Sequence, residues 1–324
     1  MPARDPAAAT ADNSAQASPE TAPAGPEVAA SSMKIDQTGT AVPAPAEEIL
    51  AAPKKKLGVV FWLCVAWVVA IAILAVMAGV LPIGDPNAVG VDLPGAHPSL
   101  SHLLGTDDLG RDEFARVIFG ARVSLIVGFA SIAFGLVIGG TLGLIAGYFR
   151  GKVDAVISAL VNVMLAFPAL IFALALVTFM GQSLRNVTLA IGILSIAPIA
   201  RIVRGSTIVY AQREFVVAAH LLGAKRWRII RREVLANVVP AGVSFALVAV
   251  AVAIVAEGAL SFLGLSVRPP QASWGNMIAG GRTQLERYPL LSLWPSMFLF
   301  LTVLALNFVG DRLQSFFDVK EGRL

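Results

Sequence analysis

Residues 57–81 read LGVVFWLCVAWVVAIAILAVMAGVL, 25 positions without one charged side chain. Wound as an α-helix, a run of that length reaches about 37 Å, against a bilayer hydrocarbon core of about 30 Å. Lys54-Lys55-Lys56 precedes it and Leu81-Pro82 ends it. Comparable apolar runs predict helices near residues 123–148, 155–180, 187–203, 238–256 and 290–310. In lipid every backbone polar group must be satisfied internally, so these runs read as an all-α, polytopic membrane protein with six spans. Composition agrees: 56 % of the 324 residues are hydrophobic and only 14 % charged, where a soluble domain carries about 25 %. Such a chain cannot clothe itself for water, which excludes a soluble enzyme.

Outward from the spans, residues 1–53 hold 16 alanines, 8 prolines and no aromatic residue. That composition buries too little apolar area to offset ordering entropy, so a disordered cytoplasmic tail is expected, with the membrane domain over 54–324. An even number of spans puts both termini on one side. With the N-terminus inside, inner segments carry 18 of the 25 lysines and arginines, so both ends are expected in the cytoplasm of a multi-pass cell-membrane protein. The net charge of +4 then reflects retained loop arginines and lysines rather than a nucleic-acid site. A single cysteine, Cys64, excludes an internal disulfide, and three histidines are too few for a histidine metal centre. No catalytic, cofactor or metal residue is expected in the chain.

Within the spans, Gly139, Gly143 and Gly147 recur every four residues and allow another helix backbone to approach, in this chain or a second subunit. Pro168 predicts a kink near the middle of the third helix. Arg201 and Arg204 share a face at the inner end of the fourth, where snorkelling to lipid headgroups is the expected role. Glu257, at the outer end of the fifth, is costly at that depth unless paired; Arg268 and Arg282 are the candidate partners.

The loop over residues 211–236 carries the functional signal. Phe215, Ala218, Ala219 and Leu222 fall on one face of a short helix, with Glu214 at its N-terminus. Gly223 and Ala224 follow, and then Trp227, Ile230 and Val234 form an apolar stripe among five basic residues. That spacing fits a helix–glycine–helix lever docking into a partner, and it equally fits an amphipathic loop lying on lipid.

Glu214, Ala218-Ala219 and Gly223 resemble the E-x3-A-A-x3-G signature of permease subunits of binding-protein-dependent ABC importers. Glu233 and Ala236 stand where related peptide permeases often carry His and Pro. Leu104-Gly105-Thr106-Asp107-Asp108-Leu109-Gly110-Arg111-Asp112 is similar to a segment of the C-type subunit of the dipeptide, oligopeptide and nickel importers. So are Glu257-Gly258-Ala259-Leu260-Ser261-Phe262-Leu263-Gly264-Leu265, Arg268-Pro269-Pro270 and Ser273-Trp274-Gly275-Asn276-Met277. The resemblance implies a coupling helix at Glu214, Phe215, Ala218, Ala219, Leu222, Gly223 and Ala224 that docks on an ATPase subunit. It implies an external gate or binding-protein contact at Asp107, Asp108, Arg111, Asp112, Glu257, Arg268 and Trp274. The implied partners are a second homologous permease, two ATPase subunits holding ATP and magnesium, an extracytoplasmic solute-binding protein and the bilayer.

Two absences in the sequence support that division of labour. No G-x4-G-K-[ST] phosphate loop occurs. No lysine or arginine lies mid-helix, as an ion-coupled secondary transporter or channel, the alternative reading, commonly requires. The cargo stays open among dipeptides, oligopeptides, nickel complexes, glutathione and haem.

Overall fold

Asp112 decides where the longest helix begins. In the computed structural model its carboxylate accepts the Ala115 N–H at 2.8 Å, a donor the helix itself leaves without a partner, so the helix starts well before the expected residue 123. The structure describes residues 33–35, 41–43 and 58–321, with side chains over 58–316. The chain divides into two units, Met1–Lys56 and Leu57–Leu324. In the first, strands β1 (Met33–Ile35) and β2 (Ala41–Pro43) pair antiparallel; the rest of the expected disordered tail lies outside the described residues.

The second unit is helical. It comprises α1 (Val59–Met77), α2 (Glu113–Phe149), α3 (Gly151–Ala166), α4 (Ala169–Met180), α5 (Leu184–Tyr210) and α6 (Glu214–Leu221). After these come α7 (Arg226–Ile229), a π-helical turn (Ile230–Val234), α8 (Leu235–Phe262), α9 (Trp274–Gly281) and α10 (Leu290–Glu321). Among the described residues five helices are long and apolar enough to cross a membrane, or six if α3 and α4 count as one bent span.

That bent span corrects the sequence reading. The run at 155–180 is not one kinked helix, because α3 and α4 meet at 88°. Phe167 is extended at φ −82° and ψ 135°, as the residue before a proline prefers, and Pro168 has no N–H with which to continue the ladder. The run at 187–203 is longer than expected. Ser183 caps it through the Asn186 N–H at 3.2 Å, and at the other end its two arginines are held by α3. Arg204 donates from Nε and Nη2 to both Asp154 oxygens, at 2.5 and 2.7 Å, and Arg201 donates to Asn162 Oδ1 at 2.8 Å. These two side chains therefore fasten α5 to α3 instead of snorkelling into lipid.

The glycine stripe faces α5 of the same chain, not a second subunit. A Cβ on Gly139 would strike the Ile196 carbonyl oxygen, and one on Gly143 the Ala200 carbonyl oxygen. The two backbones can lie this close only while those positions lack side chains. α8 packs across this pair and against α10, and α1 lies on α10 and α2. Trp67 Nε1 fixes α1 by donating to Thr302 Oγ1 at 3.1 Å.

Candidate functional site

The two segments singled out in the sequence fold at opposite ends of α2. At the Phe149 end sits α6. Val216 is buried, and Ala219 and Ala224 pack against the same apolar core. The helix is closed by a Schellman motif. The Ala224 N–H reaches the Ala219 carbonyl and the Gly223 N–H reaches the His220 carbonyl, both at 3.0 Å. Gly223 takes φ +77°, which explains why glycine stands here.

Anchoring through Val216 and Ala219 turns the opposite face outward. Glu214, Phe215 and Ala218 are exposed, and Leu221 and Leu222 are 84 % and 88 % exposed. The structure thus splits the apolar face read from spacing: Ala219 turns inward, while Val217 and Leu221 join the exposed side. Beyond Gly223, α7 leads through the π-helical turn into α8, with Ile229, Ile230 and Val234 buried and Trp227 exposed.

At the other end, residues 105–112 knit themselves together. Asp107 is buried. Its Oδ1 accepts the N–H groups of Leu109 and Arg111, both at 2.9 Å, and its Oδ2 pairs with Arg111 Nε at 2.5 Å and Arg116 Nε at 3.4 Å. Asp112 caps α2 and meets His102 Nδ1 at 2.7 Å. Asp108 alone of these acids faces solvent.

Below this loop Glu257 is fully buried, and the expected arginine partners are not its partners. Its Oε1 accepts hydroxyls from Ser261, Ser266 and Ser273 at 2.8, 2.7 and 2.8 Å, and Ser124 reaches Oε2 at 3.4 Å. Arg268 instead donates to Gln182 at 3.3 Å, and Arg282 lies 4.6 Å above the Phe262 ring. A carboxylate that accepts several hydroxyls is solvated by the protein itself, so no cation is needed.

Trp274 is also fully buried. Its indole N–H donates to the Val117 carbonyl at 3.0 Å and its backbone N–H to Ser124 Oγ at 3.2 Å. As folded, Glu257, Trp274 and Asp107 offer no surface to a partner, whereas Asp108 and Arg268 do. One set of hydrogen bonds joins α2, α8 and the short helix α9.

With both ends placed, the chain can be compared with known proteins. Residues 139–321 match the family "Binding-protein-dependent transport system inner membrane component". The chain belongs to that family. It is similar to a glutathione transport system permease protein of Pectobacterium atrosepticum, 40 % identical over 74 % of this chain and 80 % of the relative. It is also similar to a dipeptide transport system permease protein of Alkalihalophilus pseudofirmus, 37 % identical over 87 % of this chain and 91 % of the relative. Its fold is shared with the inward-facing MetNI methionine ABC transporter, at a TM-score of 0.52 and 20 % identity over 62 % of this chain and 96 % of that one. It is thus a multi-pass permease subunit of a binding-protein-dependent ABC importer.

Several residues that organise this permease were not given their structural roles by the sequence. Asp154 carried a legible hint as a first-turn acid of α3, but its partner lies 50 residues away. α9 had a usable sign in Ser273-Trp274-Gly275-Asn276, where the Ser273 and Asn276 side chains cap each other's backbone N–H groups. Ser124 and Ser266, which also meet Glu257, had none, since a lone serine marks no particular partner.

Proposed function

We propose that this permease imports small peptides, of the dipeptide to glutathione size class, as one half of a path completed by a second homologous permease. In this reading both termini are cytoplasmic, α6 docks on one of two ATPase subunits that hold ATP and magnesium, and the loop–α9 assembly faces a solute-binding protein outside. ATP binding draws the two coupling helices together, and the rigid run from α7 into α8 carries that displacement into the bundle. The chain's own part is mechanical.

One observation carries the reading. Leu221 and Leu222 stand almost wholly exposed on a helix locked to the bundle by Val216 and closed by Gly223. An apolar edge held that rigidly is what a partner's groove would cover. The two permeases named for dipeptide and glutathione transport support the cargo class.

The test is an Ala218→Cys variant in the assembled importer, with a short bifunctional crosslinker and uptake of labelled dipeptide in proteoliposomes. Capture of the ATPase subunit, together with ATP-dependent uptake, is the expected outcome. Capture of lipid alone, or uptake by the single chain driven by an ion gradient, overturns it.

A further inference from the structure

The turn that joins α2 to α3 borders a pocket for which neither the coupling helix nor the outer assembly supplies an occupant. Tyr148, Arg150, Gln212, His220 and Arg226 surround an open space of about 330 Å³. Arg150 enters it from a left-handed backbone, φ 52°, which no other described non-glycine residue adopts and which Cβ sterics penalise. Its guanidinium is held by neutral acceptors: the Ile208 carbonyl at 3.3 Å and, with the amide oxygen turned toward it, the Gln212 side chain. Among the described residues no carboxylate lies within 4 Å of Arg150 or Arg226. The Tyr148 hydroxyl and His220 Nε2, 3.5 Å apart, complete the wall. His220 Nδ1 donates to the Val216 carbonyl at 3.0 Å, so the ring is fixed in orientation.

Two guanidiniums without a direct carboxylate partner, one of them preoriented, are the chemistry of a phosphate site. Depth selects the kind of phosphate. Tyr148 and Phe149 form a T-shaped pair, 5.3 Å between ring centroids, at the end of a membrane-spanning helix, where aromatic residues mark the headgroup level. Phe149 and Trp227 are exposed next to the two arginines, which leaves an apolar flank for an acyl chain.

We propose that this pocket binds the headgroup phosphate of an anionic phospholipid. The ligand ties the end of α2 and the end of α5 to α6 and α7, the root of the coupling lever. Binding itself is independent of the coupling role; only its effect on ATP turnover rests on that reading.

The test uses the whole importer in nanodiscs of phosphatidylcholine, with or without phosphatidylglycerol. Phosphatidylglycerol retained on the chain is read by native mass spectrometry and ATP turnover is measured in parallel. Arg150→Gly removes the guanidinium while suiting the backbone, and Arg226→Gln removes the second. Retention should fall about fivefold for each, Arg226→Lys should recover most of it, and stimulation of turnover should vanish in the double variant. Arg228→Gln with Arg232→Gln, exposed positions outside the pocket, should retain the lipid as the unmodified chain does.

Equal loss in that control pair would assign the effect to diffuse surface charge and overturn the proposal. So would unchanged retention in the double variant, or stimulation by inorganic phosphate in place of lipid. An Arg226→Cys crosslink reaching only the ATPase subunit would assign the pocket to a protein carboxylate and do the same. Lipid retention that depends on both arginines without any effect on turnover would keep the site and count against the lever.

Discussion

One fully buried carboxylate, Glu257, ties α2, α8 and α9 of this permease together, and its partners are serines. Glu257→Ala would leave the hydroxyls of Ser261, Ser266 and Ser273 buried without their acceptor, at a cost of more than about 3 kcal/mol. A fall in thermal stability of the purified permease checks this. Ser124→Ala, which removes the longest contact at 3.4 Å, should cost about 1 kcal/mol or less; an equal effect from the two variants would contradict the geometry. Gly223 is the second decisive residue. No atom lies within 4 Å of where its Cβ would stand, so Gly223→Ala meets only the left-handed backbone penalty of about 1 kcal/mol. Gly223→Pro both forbids that φ and removes the N–H that closes α6. Uptake per ATP hydrolysed should therefore drop sharply in the proline variant and little in the alanine variant, with membrane insertion intact in both.

At the scale of elements, the α2–α5 contact and the α3–α4 break set the geometry. A methyl group on Gly143 meets a main-chain oxygen of α5, which cannot rotate away as a side chain can. Gly143→Ala should destabilise by about 1–3 kcal/mol, seen as an earlier thermal transition, whereas Gly205→Ala, in open space, should be neutral or slightly stabilising. A reversed order would mean the stripe does not carry the close contact. The stripe itself was legible at its four-residue spacing, but its partner was not. Whether a row of glycines faces α5 or another subunit depends on which helix the chain brings alongside. Pro168 was legible as an interruption in the same way. The 88° turn was not, since the angle is set by what α3 and α4 each pack against.

Considered as a whole, the permease is held taut at one end and presents an apolar edge at the other. Leu221 and Leu222 are almost wholly exposed, so replacing both with serine should leave the isolated permease as stable as before. If they fill a partner's groove, each loses about 1.5–3 kcal/mol of buried apolar contact in the assembly. Co-purification of the ATPase subunits and peptide uptake should then fall together by more than tenfold. Unchanged uptake would remove α6 from the coupling role, and a less stable permease would show that the two leucines serve the chain's own core.

The sequence by itself determined the class of molecule. Uninterrupted apolar runs have few solutions in lipid, and the local signals at Asp112, Pro168 and Gly223 act within a few residues along the chain. It also marked the two candidate functional segments, because E-x3-A-A-x3-G and the aspartate-rich loop are contiguous. Only the tertiary structure decided which charges meet. Glu257 found Ser124 133 residues away, and Arg204 found Asp154 50 residues away. Pairings of that kind follow from how helices pack, and in a bundle where most side chains are interchangeably apolar, linear spacing carries no record of them.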